Sequence, residues 1–156
     1  MNRESVELGF ILKQIKDYDF SMRKFNDRLK LQKLIYLLQA CGVYLGYDFS
    51  WYLRGPYCSL LAHNGFALQN VYDAIPDSIE LKNKEDRNNF AKFQKFIEGM
   101  GIDELEIAAS LHYLKKVRGK HVSDEDILKM VTKKRDRFTE QQVSGIWQEM
   151  KKQKLM

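Results

Sequence analysis

Residues 26–41 read NDRLKLQKLIYLLQAC, and this stretch decides the fold. Its apolar residues fall at i, i+3, i+4 and i+7, which is the spacing of one face of an α-helix. These residues are Leu31, Leu34, Ile35 and Leu38, and Tyr36 and Leu37 widen the face they form. A helix with little polar surface must be buried. We therefore expect a helix that begins near Asn26 or Asp27, ends near Cys41 and occupies the centre of the core.

Six further segments have apolar residues at helical spacing and predict helices. They are Ser5 to about Asp17, Tyr57 to Ile75, the stretch marked by Phe90, Phe93 and Ile97, the stretch from Ile107 to Leu114, and the segments after Ser123 and Thr139. Ser5, Ser123 and Thr139 are predicted helix caps, because their hydroxyl oxygens can accept from free N–H groups of the first turn. Asn64 and Gly65 leave open whether the Tyr57 to Ile75 helix is one piece or two.

Two short segments suggest a small sheet between the helices. Phe49 to Leu53 is aromatic-rich and predicts a strand that Gly55 and Pro56 end. Ile79 and Leu81 alternate with polar neighbours and are predicted to pair with it. The predicted class is mainly α: a single compact helical domain over residues 1–156, with about seven helical segments and a small two-stranded β-ribbon. Residues 151–156 are predicted to be a frayed basic tail.

Composition narrows the class of protein. Of 156 residues, 44% are hydrophobic and 30% charged, with two prolines and nine glycines, which excludes disordered and collagen-like chains. Glu4 and Glu7 precede the first apolar residues, unlike a signal peptide, and no apolar run approaches the roughly 20 residues of a membrane span. Cys41 and Cys58 form no framework typical of secreted domains. We expect a cytoplasmic protein that does not bind membranes.

No group of residues predicts an active site. The candidate zinc ligands lack paired spacing; they are Cys41, Cys58, His63, His112 and His121. Cys58 and His63 as nucleophile and base lack a third group and an oxyanion site, so a small residue at a helix start and a polar residue near a helix break are the better interpretation. No glycine-rich phosphate loop occurs. We expect no metal, no cofactor and no enzyme activity.

Two clusters of carboxylates begin helices. Asp103, Glu104 and Glu106 form one, and residues 124–126 form the other. Acidic side chains near a helix N-terminus are favoured by the helix dipole without any metal. We therefore interpret both clusters as helix-stabilising.

Positive charge is concentrated toward the C-terminus. Residues 1–111 hold 14 Lys and Arg against 15 Asp and Glu, whereas residues 112–156 hold 12 against 6. The candidate nucleic-acid contacts in this region are Lys115, Lys116, Arg118, Lys133, Lys134, Arg135 and Arg137. The last two helices invite comparison with a helix-turn-helix, but Glu140 and Glu149 on the exposed face of the second would repel phosphates. Nucleic-acid binding is therefore the alternative function.

Two stretches carry a family resemblance: KLQKLIY at residues 30–36 and WYLRGPY at residues 51–57. Read together, they resemble the SocA-like antitoxin proteins of the Panacea domain and the related YwgA-like bacterial and archaeal proteins. In that group a Lys-Leu-Gln-Lys-Leu helix precedes a short strand that ends in Gly-Pro, after which another helix begins. Arg54 before Gly55-Pro56 and Tyr57 after it differ from the common Tyr-Gly-Pro-Val pattern and favour the YwgA-like branch.

The resemblance implies a helical domain with a small ribbon, no catalytic centre, and protein binding as the activity. Panacea-type antitoxins neutralise a toxin by contact, and one member presents its toxin to a protease. The leading hypothesis is accordingly a protein-interaction module of antitoxin or proteolytic-adaptor type, whose partner is a toxin or a protease substrate.

The same residues have two physical interpretations: a partner surface, or burial of the aromatic residues in the core. Lys30 and Lys33 lie three apart and can project over the Gly-Pro turn, and Pro56 suits the first position of the following helix. An Arg among aromatic residues has the composition of an interaction hot spot. The candidate partner surface comprises Lys30, Lys33, Trp51, Arg54 and Tyr57.

Overall fold

The computed structural model describes residues 3–77 and 81–156. Within these residues the chain forms seven α-helices, one short 3₁₀ segment and one two-stranded antiparallel sheet, which confirms the predicted class. In chain order the elements are α1 (Arg3–Gln14), α2 (Phe25–Ala40), β1 (Ser50–Tyr52), β2 (Gly55–Tyr57), α3 (Ser59–Gln69), the 3₁₀ segment (Tyr72–Ala74), α4 (Lys84–Ile97), α5 (Ile102–Arg118), α6 (Asp124–Thr132) and α7 (Glu140–Lys152).

Helix α2 lies at the centre of the core, as its apolar pattern predicts. It packs against α3, α4, α5 and β2, and every residue from Leu31 to Leu38 is buried. Because these eight residues include Gln32 and Lys33, the core contains two long polar side chains that need partners. Gln32 and Lys33 find these partners in the backbone of Pro56 and Cys58, at the end of the second strand of the sheet.

The starts of the first two helices differ from the sequence prediction. Ser5 is not a cap: it lies inside α1 and is buried on the same face as Leu8 and Leu12. The helix ends at Gln14, and Asp17 follows with φ of 58°, a left-handed conformation that stops a helix. Helix α2 begins at Phe25 rather than at Asn26 or Asp27, and its start is supported by the Asp27 carboxylate, which accepts from the Lys24 N–H.

Within the described residues, β1 has a different partner from the predicted one. β1 pairs with β2, in the register Ser50 with Tyr57 and Tyr52 with Gly55, through a two-residue turn at Leu53 and Arg54. Ile79 lies outside the described residues, and Leu81 belongs to no strand. Gly55 has φ of 96°, a value open to glycine, and this lets the chain reverse in two residues.

Gly55 and Pro56 therefore continue the sheet instead of ending it, and Pro56 does not begin a helix. It lies opposite Trp51. Opposed pairs in an antiparallel ladder alternate between bonded and non-bonded, so the missing N–H of proline costs nothing at a non-bonded pair. Helix α3 begins later, at Ser59 after Cys58, and runs through Asn64 and Gly65 without a break.

The later helices follow their local signals. Ser123 Oγ accepts from Asp126 N at 3.1 Å and Thr139 Oγ1 accepts from Gln142 N at 3.0 Å, which confirms both predicted caps. Residues 151–156, predicted as a frayed tail, comprise the last two residues of α7 and a turn in which the Leu155 N–H donates to the Met150 carbonyl at 2.9 Å. Leu155 is buried in the core.

Candidate functional site

The β1–β2 hairpin is fastened to α2 by the two polar side chains of the central helix. Gln32 Nε2 donates to the Cys58 carbonyl at 2.9 Å, and Gln32 Oε1 accepts from the Cys58 N–H at 2.8 Å. Lys33 Nζ donates to the Pro56 carbonyl at 2.8 Å. The stretches at residues 30–36 and 51–57, which are separate in sequence, therefore meet at the end of the hairpin.

A buried ionic cluster lies under this contact; it comprises Lys33, Glu106, Lys134 and Arg135. Glu106 comes from the second turn of α5, and its Oε2 lies 3.4 Å from Arg135 Nη2 and 3.7 Å from Lys134 Nζ. Arg135 also donates to the Leu53 carbonyl at 3.2 Å, so the cluster holds the hairpin turn as well as its base. The cluster joins α2, α5, the hairpin and the α6–α7 turn.

Burial sets the protonation of the two lysines. Lys33 is 1% exposed, and burial lowers its pKa to about 7. The Glu106 carboxylate opposes that shift, while the positive charges of Lys134 and Arg135 add to it. Burial likewise lowers the pKa of Lys134 to about 8. The cluster thus holds three basic groups against one carboxylate, and two of those groups lose protons far more easily than ordinary lysines.

Gly55 lets the hairpin approach this cluster closely. A Cβ atom at Gly55 would lie 2.8 Å from Ser110 Oγ and 3.4 Å from Lys33 Nζ. Ser110 is itself fully buried on α5. The hairpin backbone is therefore a lid on the cluster, and any larger residue at this position would force the two apart.

On the outer side of this lid is a groove of about 690 Å³, which we call the hairpin groove. Its apolar lining is Phe25, Leu29 and Leu53. Its other lining residues are Lys33, Ser50, Tyr52, Arg54, Gly55, Tyr57 and Ser59. The lining residues thus include two basic side chains and no carboxylate, and of the two Lys33 is buried with a pKa of about 7.

Large apolar side chains are exposed around this groove and at the hairpin turn. We call Phe25, Trp51, Tyr52 and Leu53 the hairpin patch; they are 53%, 41%, 60% and 79% exposed. Trp51 lies on the opposite hairpin face from the groove, against Tyr113 with ring centroids 5.6 Å apart. Lys134 Nζ lies 4.5 Å from the Trp51 ring centroid, which connects the patch to the buried ionic cluster. The patch therefore spans both faces of the hairpin, with Tyr52 and Leu53 at the groove and Trp51 behind it, and exposed large apolar side chains of this kind are typical of interaction sites.

The structure divides the predicted partner surface. Arg54 and Tyr57 line the hairpin groove, and Trp51 lies on the reverse face of the hairpin. Lys33 contacts the Gly-Pro segment as expected and lines the groove, but at 1% exposure it offers a partner almost no surface. Lys30 does not reach the turn: its Nζ lies 5.6 Å from the Tyr18 ring centroid, beside a separate cleft of about 880 Å³.

The C-terminal basic residues are also divided. Lys134 and Arg135 turn inward to Glu106. Arg137 makes two 2.8 Å hydrogen bonds to Asp103, and Lys115 pairs with Asp124 at 2.7 Å. The exposed members without an ion pair in the described part of the chain are Lys116, Arg118 and Lys133. Much of the C-terminal positive charge is thus used within the fold.

The cysteines and histidines remain dispersed. Cys58 is buried at the start of α3, whereas His63 is exposed, and the structure shows no hydrogen bond between them over residues 3–77 and 81–156. His112 Nδ1 lies 2.8 Å from Tyr36 Oη, and burial lowers its pKa to about 4. No group of three or more potential metal ligands occurs among the described residues.

Sequence reasoning missed two residues of this region. Glu106 was interpreted with Asp103 and Glu104 as a dipole-stabilising residue, but it lies past the first turn and faces inward with Leu105 and Ala109 as buried neighbours. The run IAASL at residues 107–111, directly after Glu106, is almost entirely apolar, and this pattern predicts that Glu106 lies in a buried part of the helix. Phe25 was missed because a lone aromatic at a helix start has no periodic pattern.

Comparison of the chain with protein-family models, with curated proteins and with solved structures gave no match. None of the helices in residues 3–77 and 81–156 combines the length and the apolar character that crossing a bilayer requires.

Proposed function

We propose that this protein is a non-enzymatic protein-interaction module that binds a partner protein through the hairpin patch. The observation that carries the proposal is the exposure of three consecutive large side chains, Trp51, Tyr52 and Leu53, on a hairpin that is fastened to the core from beneath. Trp, Tyr and Arg are the residues most enriched in binding hot spots.

The fastening of the hairpin favours this use. Gln32, Lys33 and Arg135 hold its backbone at Cys58, Pro56 and Leu53, so its exposed side chains are presented on a fixed framework. A surface that is already ordered loses little conformational entropy when it binds. The resemblance of the two motif stretches to SocA-like and YwgA-like proteins agrees with a role in contact, and a toxin or a protease substrate is the kind of partner it suggests.

The test is recovery of a partner from the native host. Tagged wild-type protein and the double variant Tyr52→Ser/Leu53→Ser are used as baits, and co-purified proteins are quantified by isotope-labelled mass spectrometry. We expect at least one protein to be enriched on the wild type and lost from the hairpin variant.

A matched control separates the hairpin from general surface hydrophobicity. Tyr44→Ser/Val117→Ser removes one aromatic and one aliphatic residue that are 69% and 56% exposed elsewhere. This variant should retain the partner. Equal recovery on all three baits would contradict the proposal, provided that thermal melts show each variant folded.

A further inference from the structure

The hairpin groove carries positive charge at Arg54. The pKa of the Asp103 carboxyl is lowered mainly by the hydrogen bond from Arg137, and the Arg54 charge adds to that shift. Lys33 and Arg54 line the groove, and it contains no acidic side chain. In the described part of the chain Arg54 makes no ion pair and no hydrogen bond; its guanidinium carbon lies 5.6 Å from the Phe25 ring centroid. The cation is therefore available at the groove wall, held over an aromatic face.

The charge beneath the groove has the same sign. Lys134 and Arg135 lie behind the hairpin and share the carboxylate of Glu106 with Lys33, whose pKa of about 7 leaves it only partly charged at neutral pH. Charges in a buried setting act over longer distances than charges in water. An anion placed beside Arg54 would therefore be attracted by the cluster as well as by the guanidinium.

The rest of the groove is suited to apolar and hydrogen-bonding groups. Phe25, Leu29 and Leu53 supply apolar surface, and four further lining residues, Ser50, Tyr52, Tyr57 and Ser59, carry hydroxyl groups that are able to donate. A small ligand would leave the rim open, because Phe25 and Leu53 project into solvent, whereas small-molecule sites enclose most of their ligand. A peptide segment would cover the rim and fill about 690 Å³ of groove.

We infer that the groove binds an acidic peptide segment of the partner, in which an Asp or Glu carboxylate pairs with Arg54 and a neighbouring large apolar side chain lies against Phe25 and Leu53. This inference rests on the proposed function and specifies the chemistry of the partner.

The first experiment is selection from a random 12-residue peptide library displayed on phage. Wild-type protein is the target, and clones that also bind Tyr52→Ser/Leu53→Ser are removed. We expect the remaining peptides to be enriched in Asp or Glu next to Leu, Phe or Trp. Hairpin-dependent peptides without acidic enrichment would overturn the acidic chemistry and leave partner binding at the hairpin intact. An absence of hairpin-dependent peptides would overturn the peptide groove, whereas the proposed function is judged separately by the host baits.

The second experiment tests the Arg54 contact with one selected peptide made synthetically. Arg54→Gln and the replacement of the peptide's acidic residue by its amide should each weaken binding by about tenfold or more, as expected for a hydrogen bond to a charged group. Together they should weaken it little further, because each removes the same interaction. Arg118→Gln, which removes an exposed arginine on α5, should leave affinity unchanged. Additive losses, or an equal loss in Arg118→Gln, would overturn the assignment.

Discussion

Lys33 both holds the hairpin to α2 and makes the stability of the protein depend on pH. It is buried because α2 is packed on by α3, α4, α5 and β2, and it is tolerated there because Pro56 offers a carbonyl and Glu106 a negative charge. A buried ammonium group is costly, and the protein reduces that cost by allowing the proton to leave near neutrality.

The pH dependence of stability follows from this shift. The pKa of Lys33 is about 7 in the folded chain and about 10.5 in the unfolded chain, so between these values the unfolded state binds more protons. The free energy of unfolding contributed by this group therefore rises with pH in that window, by at most about 1.4 kcal/mol per pH unit. Below about pH 7 the contribution is constant.

The check is urea denaturation of wild type and Lys33→Met between about pH 7 and pH 9. The variant should show a smaller rise in the free energy of unfolding with pH. Lys134 has the same direction of shift, so some rise should remain in the variant. Parallel curves for the two proteins would show that Lys33 keeps its proton throughout.

The role of Lys33 could be predicted only in part. Its place three residues after Lys30, before a Gly-Pro segment, predicts contact with that segment, and the contact is present. The burial and the partner Glu106 depend on α5, which is far away in sequence. Lys30 has the same chemistry but lies about one turn nearer the start of α2, where its Nζ lies 5.6 Å from the Tyr18 ring centroid.

The hairpin is the element in which local rules and tertiary contacts disagree. Gly-Pro ordinarily ends a strand, but here the positive φ of Gly55 reverses the chain and Pro56 enters the second strand. By contrast, the caps of α6 and α7 were predictable, because Ser123 and Thr139 satisfy N–H groups only three residues away. Features that depend on residues close in sequence, such as the two caps, could therefore be predicted, and features that depend on distant residues could not.

A glycine substitution in the hairpin tests the role of Gly55, and a second one in α7 serves as its control. Gly55→Ala adds a Cβ 2.8 Å from Ser110 Oγ at a left-handed φ, so it should destabilise the protein by about 1–3 kcal/mol. Gly145→Ala, inside α7 with nothing within 4 Å of the added atom, should stabilise it by up to about 1 kcal/mol. Thermal or urea unfolding measures both. A stabilising Gly55→Ala would show that the turn has another conformation available.

At the scale of the whole molecule, many basic residues near the C-terminus form ion pairs within the fold. Lys134, Arg135 and Arg137 connect the α6–α7 turn to α5 through Glu106 and Asp103. The excess of basic residues after position 111 was visible in the sequence. Its internal use was not, because the carboxylates that compensate it lie about 30 residues earlier on another helix.

Binding to nucleic acid should accordingly be weak. Lys116, Arg118 and Lys133 remain exposed without an ion pair in the part of the chain that the structure describes, and few phosphate contacts give little affinity at physiological salt. We expect no measurable binding to non-specific double-stranded DNA at about 150 mM salt, and a shallow salt dependence below it. Fluorescence anisotropy across a salt titration checks this. Tight binding with a steep salt dependence would favour the nucleic-acid alternative.

The two tryptophans occupy opposite environments. Trp147 is 2% exposed in α7, whereas Trp51 is 41% exposed on the hairpin. The chain therefore contains two intrinsic optical reporters: an emission that acrylamide can quench comes from the hairpin, and a shielded emission comes from the core. Contact of a partner with the hairpin face that carries Trp51, opposite the groove, is readable without any label as shielding of the first signal while the second stays constant, whereas global unfolding changes both.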